Sequence, residues 1–449
     1  MNKQEQSCLI DFFESIRKFP YVVLRNAAEL PMENTSNDID ILIDPVALSH
    51  FRTTMFQIMR SHGFLRMERS FFHGIECYTF FSVDQEETAS LKIDLFRHFE
   101  GGGVKYLDFN DIYAFRQDNG NNISVLAPDM ETILTAAKVF AAGGILKPRY
   151  VEPFERQMNF SAAIETVNKL PSRTLRQKIH SVIQNPQANN KPLRRSKVVA
   201  EAWLSNFCHS PLATAGRTIR HLTLELSRLW NNRHMIVFVG PDGAGKSALI
   251  DYLLDHSKQL LRSPKDRFFL FHHRPHLICN MKQIIHRNMT EQEVDELNFC
   301  PHSGKQSGFL VSLIKLFYYS FDYRMGYLLK IWPHFRRGKI VIFDRYFYDF
   351  MVDQQRSAVK LPQWLVRMFY WFIIPRPDRV FFIQVDAKEA HRRKQELPEE
   401  SIQKINDAYA GLMHRFPYFV GVPNINLASA QHEITKQMIL AITIPVQEA

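Results

Sequence analysis

The sequence predicts an α/β protein with an N-terminal α+β domain, a helical extension, and a C-terminal domain built on a doubly wound parallel sheet. Between residues 233 and 449, short apolar runs alternate with helical patterns. Before residue 127, acidic residues interrupt alternating apolar strands, and the stretch between these two parts favours helix. We therefore divide the chain into residues 1–127, 128–232 and 233–449.

The composition is that of a folded protein with a basic surface. The 449 residues are 45% hydrophobic and carry a formal net charge of +10. A chain of this length exceeds a single core, and its apolar content excludes a disordered polymer. The charge favours an anionic partner such as a nucleotide, nucleic acid or a lipid surface, but a surface that only keeps the protein in solution would carry the same balance.

The spacing of the cysteines and the length of the apolar runs indicate where in the cell the protein is located. The five cysteines have no paired spacing, which is typical of reduced thiols in a cytoplasmic protein. No uncharged apolar run reaches the roughly 18 residues that a membrane span needs. Residues 362–375 come closest, and we interpret them as a buried helix, with peripheral contact to a membrane or a lipid-linked substrate as the alternative.

Three acidic residues stand out in the N-terminal third. Asp38 and Asp40 lie in the apolar run DIDILID, and Asp94 lies in SLKIDLF. Because strand side chains alternate between faces, Asp38 and Asp40 project on the same side. Carboxylates held side by side repel each other, and a divalent cation relieves that repulsion. We predict a Mg²⁺ site at Asp38, Asp40 and Asp94; the alternative is that they are turn or surface acids.

This arrangement resembles the nucleotidyltransferase fold, over roughly residues 20–150. The resemblance implies transfer of a nucleotide by carboxylates on neighbouring strands. Where that family has a Gly-Ser pair, this chain reads LRNAAE, so an active domain would use Arg25 to hold phosphate. The alternative is a degenerate domain that binds or positions a substrate. The basic residues 171–197 are interpreted as a solvated face or a linker, or else as a patch for nucleic acid or glycan phosphate.

The strongest motif is the loop GPDGAGKS, between the apolar run MIVFV and a helical stretch. Glycines let backbone N–H groups wrap an oligophosphate, Lys246 reaches its terminal phosphates, and the Ser247 hydroxyl binds Mg²⁺. ATP and Mg²⁺ are therefore the predicted cofactors. The predicted nucleotide-binding residues are Gly240, Asp242, Gly243, Ala244, Gly245, Lys246 and Ser247.

A second charged pair follows the apolar run IVIF. In parallel sheets, ligands bind at the carboxyl ends of the strands, where Asp344 and Arg345 lie. Asp344 is predicted to hold the Mg²⁺ hydration shell or orient the acceptor, and Arg345 to clamp a phosphate. The alternative is a local ion pair at the strand end.

Together these motifs resemble the thymidylate kinase family, over residues 233–445. The resemblance implies that Asp242 contacts an acceptor sugar hydroxyl and that Arg345 holds the acceptor phosphate. It places the lid among Arg392, Arg393 and Lys394. Arg274, in HHRPHL after the second strand, is kept where the family has an Arg-Glu-Pro-Gly-Gly-type motif, and we expect it to bind the acceptor.

The neighbouring histidines and one cysteine are interpreted mainly as packing or acceptor contacts, with a metal site as the alternative. These residues are His272, His273, His276 and Cys279.

We predict an ATP-dependent phosphotransferase that acts on a phosphorylated acceptor, either a nucleoside monophosphate or a sugar or glycan. The residues expected to catalyse transfer are Lys246, Asp344, Arg345, Arg392 and Arg393. The alternative is an ATP-gated switch or nucleic-acid-responsive factor whose N-terminal domain acts on RNA or protein. Nucleic acid is the less favoured partner, and a homodimer is left open.

Overall fold

A computed structural model describes residues 2–34, 36–72, 74–83, 88–156, 159–231, 233–263, 266–277 and 307–446. The chain forms two compact units. The first comprises Met1–Trp230 together with Thr443–Ala449, and the second comprises Asn231–Ile442. The helical stretch after residue 127 thus lies within the first unit, as does the segment from Thr443 onward.

The strands in chain order are β1 (Tyr21–Val23), β2 (Ile39–Ile43), β3 (Arg66–Phe72), β4 (Ile75–Ser82), β5 (Ala89–Phe96), β6 (Phe99–Gly101), β7 (Val104–Leu107), β8 (Arg116–Asp118), β9 (Ser124–Leu126), β10 (Met235–Val239), β11 (Phe268–His272), β12 (Ile340–Asp344), β13 (Arg379–Gln384), β14 (Phe419–Pro423) and β15 (Ile444–Pro445).

The helices of the first unit are α1 (Lys3–Ile16), α2 (Leu48–Ser61), α3 (Phe109–Tyr113), α4 (Pro128–Ala141), α5 (Pro148–Glu155), α6 (Ser161–Lys169), α7 (Arg173–Gln184), α8 (Pro186–Asn189), α9 (Arg195–His209) and α10 (Pro211–Asn231). Those of the second are α11 (Lys246–Leu260), α12 (Phe309–Gly326), α13 (Trp332–Arg336), α14 (Asp349–Val352), α15 (Gln363–Phe372), α16 (Ala387–Arg393), α17 (Glu399–Arg415) and α18 (Leu427–Ile442). A π-helical turn, Tyr327–Ile331, joins α12 to α13.

The first unit is built on a mixed sheet with strand order β15-β3-β4-β5-β2-β1-β9-β8. Its two faces are both covered. Ile41 and Ile43 of β2 pack in one core with residues of α1 and α2, whereas Leu42 packs in another with residues of α4. Since side chains two apart share a face, Asp40 projects on the side of Leu42.

The edge strand of this sheet comes from the far end of the described chain. Ile444 pairs antiparallel with Met67 of β3, and the Val446 N–H donates to the carbonyl of Leu65. The Arg66 side chain donates to the Thr443 hydroxyl at 3.1 Å. The sequence pattern did not indicate this return, because a two-residue strand carries no period.

The second unit has a five-stranded sheet with order β11-β12-β10-β13-β14, and all its pairings are parallel. This confirms the predicted parallel sheet. The central strand β10 is buried throughout, as a strand covered by helices on both faces requires. The helix expected to be buried at residues 362–375 is buried on one side only: α15 buries Leu365, Val366, Phe369 and Tyr370 but exposes Trp364, Met368, Trp371 and Phe372. None of the described helices combines the length and the apolar character needed to cross a membrane.

Candidate active site

The glycine-rich loop lies at the carboxyl end of β10 and leads directly into α11. Gly243 has φ +81°, and a Cβ there would lie 2.4 Å from the carbonyl oxygen of Ala390. Gly245 has φ +88°, and its Cβ would lie 2.5 Å from Nδ2 of Asn424. Both positions therefore exclude any residue with a side chain. Asn424 adds support by donating to the Ala244 carbonyl at 2.8 Å.

Lys246 is buried at the start of α11, and its Nζ donates to the carbonyls of Gly240 at 2.9 Å and Pro241 at 2.7 Å. Burial, assisted by the nearby Arg345 charge, lowers the pKa of Lys246 to about 7. Ser247 follows in the first turn and is exposed. No described side chain caps this helix, so its first N–H groups can meet an anion.

Asp344 ends β12, in register with Phe238 of β10 and His272 of β11. One carboxylate oxygen lies 3.6 Å from Nδ1 of His272. The other, Oδ1, is buried and has no hydrogen-bond partner among the described residues. A buried carboxylate oxygen left unpaired beside a phosphate loop fits the hydration shell of Mg²⁺. The residues present therefore suit the cation that the loop motif implies.

Arg345 is the centre of a buried ion-pair network. It adopts φ +70°, a region that non-glycine residues rarely occupy, and its guanidinium binds Asp242 and Asp349. Arg356 binds the second carboxylate oxygen of Asp242, and the Tyr409 hydroxyl donates to Asp349 at 2.7 Å.

The network fixes the charge state of Asp242. Burial alone would raise the pKa of Asp242, but the Arg345 and Arg356 guanidinium groups outweigh burial and hold that pKa well below its usual range. Both oxygens of the acid expected to meet an acceptor hydroxyl thus already accept from arginines.

Arg274 lies just after β11 and is buried. Its Nη1 is 3.2 Å from Asp322 Oδ2, and its guanidinium lies 4.6 Å from the centre of the Tyr319 ring. Asp322 on α12 therefore balances its charge. Burial lowers the pKa of the adjacent His273 to about 4, so this imidazole is neutral at physiological pH.

The rings of the histidines at the end of β11 and just after it do not converge on one point. His272 faces Asp344, and the His276 ring contacts the His272 carbonyl oxygen at 3.2 Å. Cys279, the fourth member of the alternative metal site, lies outside the described residues. Within the described part of the chain, the one group of three or more His, Cys, Asp or Glu side chains whose atoms could converge on a metal ion is in the first unit.

The basic cluster expected in the lid lies at the end of α16. Arg392 and Arg393 both bind Glu389, at 2.8 Å. Arg393 Nη1 lies 3.8 Å from the place of a Cβ on Gly245, which brings it beside the phosphate loop. Arg392 is largely exposed, and Lys394 pairs with Glu396 at 3.0 Å. A cleft of about 610 Å³ opens next to this helix, lined in part by Gln384, Asp386, Asn406 and Asn424.

In the first unit, Asp40 and Asp94 face each other across the parallel pair β2 and β5. With Asp38 they form a cluster in which one carboxylate oxygen from each residue lies within 4.8 Å of those from the other two. Oδ1 of Asp40 and Oδ1 of Asp94 are buried with no hydrogen-bond partner among the described residues. Burial raises the pKa of Asp94 to about 6, against the opposing effect of Lys92.

Two cations, Arg25 and Lys92, form ion pairs with this cluster of three carboxylates. Arg25 pairs with Asp38 at 3.1 Å and also with Asp40. Lys92 lies 3.4 Å from Asp38 and 3.5 Å from Asp94. Arg25, expected to hold phosphate, thus binds the carboxylates here. Lys92 was not identified from the sequence, although it lies two residues before Asp94 and therefore on the same face of β5.

Arg356, Asp349, Tyr409 and Asn424 were also missed by sequence reasoning. They come from separate elements and converge only in the folded unit. One signal was available, since Asp349 follows Arg345 by four residues, a spacing that allows an ion pair on a helical turn.

Comparisons with known proteins bear on the second unit. A family model for thymidylate kinase matches residues 305–438. A probable thymidylate kinase of Thermococcus onnurineus is 27% identical over 226 residues, which cover 45% of this chain and 99% of that protein. Another, of Thermococcus gammatolerans, is 31% identical over 110 residues, covering 23% of this chain and 49% of that protein.

Among solved structures, thymidylate kinase from Ehrlichia chaffeensis aligns with 46% of this chain and 98% of its own, at 18% identity and a TM-score of 0.31. The assignment rests on the sequence matches. They identify the C-terminal half of this chain as carrying a thymidylate kinase-like domain.

Proposed function

We propose that the second unit transfers a phosphoryl group from ATP to an acceptor that already carries a phosphate, a nucleoside monophosphate being the favoured class. The observation that carries this is the phosphate loop, whose glycines tolerate no side chain, with Lys246 at its end and the unpaired Asp344 oxygen beside it. The names of the similar proteins support thymidylate as the first acceptor to test. A phosphorylated sugar or glycan is the second acceptor class.

Each residue has a defined task in this proposal. The loop N–H groups and Lys246 neutralise charge on the transferred group, and Arg345 holds the acceptor phosphate. Ser247 and Asp344 would hold Mg²⁺, which supplies further neutralisation of the phosphates. Arg393, already beside the loop, would exclude water from the phosphates. The cleft next to α16 is large enough for the base of a nucleotide.

The acceptor is identified by incubating the purified protein with labelled ATP and Mg²⁺ in the presence of nucleoside monophosphates or sugar phosphates. We expect label to move to a nucleoside monophosphate, thymidylate first. If label moves only to a sugar phosphate, the acceptor is a sugar phosphate instead, and the proposed phosphoryl transfer still stands. No transfer to any phosphorylated acceptor, with ATP bound, would contradict the proposal.

ATP binding should be linked to protonation of Lys246. The side chain is charged below about pH 7 in the free protein, whereas bound phosphates favour the charged form at higher pH. Above about pH 7, binding must therefore take up one proton, and the affinity should fall by up to about tenfold per pH unit. Below that pH no such dependence is expected.

Calorimetry in buffers of different ionisation enthalpy measures this proton directly. The Lys246→Arg variant is the control, because an arginine stays charged and should abolish the proton uptake. The same lowered pKa determines how the stability of the ligand-free protein depends on pH. In the unfolded chain Lys246 keeps its ordinary pKa, so the contribution of this group to the free energy of unfolding grows as pH rises above about 7. Equal proton uptake by both proteins would refute the linkage.

For the first unit we propose a divalent-cation site with nucleotidyltransferase-like chemistry. The supporting observation is that Asp40 and Asp94, both members of the carboxylate cluster, each have a buried oxygen with no hydrogen-bond partner among the described residues. A bound cation would use these oxygens, and Arg25 and Lys92 would be released to meet phosphates.

Replacing Asp40 with asparagine should weaken Mn²⁺ binding to the first unit by about 10- to 100-fold, because one charged ligand is lost. Paramagnetic relaxation by Mn²⁺ without ATP measures this. Asp44→Asn, just beyond the same strand, is the matched control. Transfer from ATP by the second unit should be unchanged in both variants. Equal Mn²⁺ binding by wild type and Asp40→Asn would exclude the site.

A further inference from the structure

A buried carboxylate of the first unit lies among several arginines. Glu76, near the start of β4, is 1% exposed. Its oxygens accept from Arg97 at 2.6 Å and from Arg52 at 3.2 Å, and the Tyr78 hydroxyl donates to it at 2.8 Å. Arg220 Nη2, from α10, lies 3.9 Å away, beyond hydrogen-bond distance. Glu76 is thus already paired with two arginines before the charge of Arg220 is considered.

The carboxylates in this region do not balance the positive charge. Burial raises the pKa of Glu100, in β6, although the charges of Arg220, Arg97 and Arg217 all act to lower it. With both acids charged, four guanidinium groups and two carboxylates leave a net charge of +2. We call the four guanidinium-bearing residues the arginine cluster; they are Arg52, Arg97, Arg217 and Arg220.

The arginine cluster is poorly satisfied by the protein itself. Burial lowers the pKa of Arg220, and the neighbouring Arg97 charge acts in the same direction. Nε of Arg97 and Nε of Arg217 are buried and have no hydrogen-bond partner among the described residues. Buried donors without partners are uncommon, and an ion is one explanation for them. An anion bound to the arginine cluster would reduce the repulsion between its members.

Solvent reaches the arginine cluster from one side. The side chains of Arg52 and Arg97 are each 28% exposed and that of Arg220 is 39% exposed, whereas the Glu76 side chain is 2% exposed. An incoming anion can therefore meet the outer N–H groups while Glu76 holds the inner ones. Guanidinium groups bind phosphate oxygens two at a time, and a net charge of +2 suits a phosphate with two negative charges.

The arginine cluster is separate from the three-carboxylate site of the same unit. Asp94 of β5 is in register with Cys77 of β4, whereas Glu76 is in register with Leu95. Because successive residues of a strand point to opposite faces, Glu76 and Asp94 project from opposite sides of the sheet. A ligand of the arginine cluster would therefore not replace the cation proposed at Asp94.

We propose that the arginine cluster is a binding site for a doubly charged phosphate group. Two sources offer this chemistry, which are small phosphorylated molecules and the phosphorylated 5′ end of a nucleic acid. The inference does not depend on phosphoryl transfer by the second unit or on the cation site of the first, since no residue of the arginine cluster belongs to either.

The test is calorimetric titration of the full chain with inorganic phosphate at about pH 8, where the ion carries two charges. Every protein carries Lys246→Ala, which weakens phosphate binding at the loop of the second unit. Adding Arg220→Gln should weaken phosphate binding by about tenfold or more, because one charge-assisted contact is lost. Arg60→Gln is the matched control; this exposed arginine lies on the same helix as Arg52, and its loss should leave binding unchanged.

Oligonucleotides with a 5′-phosphate or a 5′-hydroxyl distinguish the two sources. Tighter binding of the phosphorylated form, lost in Arg220→Gln, would assign the site to nucleic-acid ends. Binding of inorganic phosphate without that preference would assign it to small molecules. If both oligonucleotides bind equally and inorganic phosphate does not bind, the ligand is the nucleic-acid backbone and the proposal is wrong.

Urea unfolding without phosphate separates ligand binding from a structural role. Because Arg220 adds to an excess of positive charge, Arg220→Gln should unfold at the same or a higher urea concentration than its parent. A lower unfolding midpoint with unchanged phosphate binding would make Arg220 a structural ion-pair partner of Glu76. That result would overturn the proposal, as would the absence of phosphate binding to the parent protein.

Discussion

Replacing Lys246 with alanine should reduce phosphoryl transfer by on the order of 10³-fold or more while leaving the fold intact. The ammonium group lies at the end of the phosphate loop, and its Nζ is within 2.9 Å of the loop carbonyls of Gly240 and Pro241. Its removal leaves the charge that develops on the transferred group without a partner. Burial already disfavours its charged form, so folding should lose little when the group is removed.

Steady-state transfer and urea unfolding of the same preparation check this prediction. Lys258→Ala is the matched control, because Lys258 is an exposed lysine near the end of the same helix, paired with Asp266 at 3.2 Å. It should retain wild-type transfer. Near-normal transfer by Lys246→Ala would remove the assignment of the loop as the donor site.

The second large effect is expected at Arg345. Arg345→Gln should lower the free energy of unfolding by about 3 kcal/mol, since it leaves the buried carboxylate of Asp349 without its closest cation. It should also lower kcat/KM for the acceptor by on the order of 10²-fold or more, because the neutral amide cannot hold a phosphate as a guanidinium does.

A double variant separates these two roles. Arg345→Gln/Asp349→Asn removes both charges and should recover most of the stability, while Tyr409 can still donate to the amide oxygen at position 349. Transfer should not recover. If the double variant regains transfer together with stability, Arg345 acts only by supporting the fold. The proposal that it contacts the acceptor phosphate would then be wrong.

The parallel sheet and the place of the phosphate loop followed from local patterns. MIVFV and KIVIFD are apolar without alternation, which only a strand covered on both faces tolerates. Once these strands are parallel, their carboxyl ends meet at one edge, so Lys246 and Asp344 had to lie near each other. The clustering of Asp38, Asp40 and Asp94 was predictable for a related reason, since strand alternation sets the face.

These local sequence patterns could not predict the ion pairs or the orientations of the helices. Arg356 reaches Asp242 from a loop more than a hundred residues away in the chain, and no local period records such a contact. α10 is amphipathic, but its polar side faces inward because Thr218 and Arg220 have partners in the rest of the first unit. Amphipathicity locates an apolar stripe, but it does not decide which side of a helix meets the core when the polar side has partners there.

The pairing of β15 with β3 has a consequence for how the protein is made. The chain completes the sheet of the first unit only after it has run through all of the second, so the kinase-like unit is an insertion within its neighbour. During synthesis, β3 must wait with an unsatisfied backbone edge while the ribosome adds Asn231–Ile442. A gene shortened to residues 1–230 would therefore yield a product prone to self-association, whereas fusing residues 443–449 behind it should restore solubility.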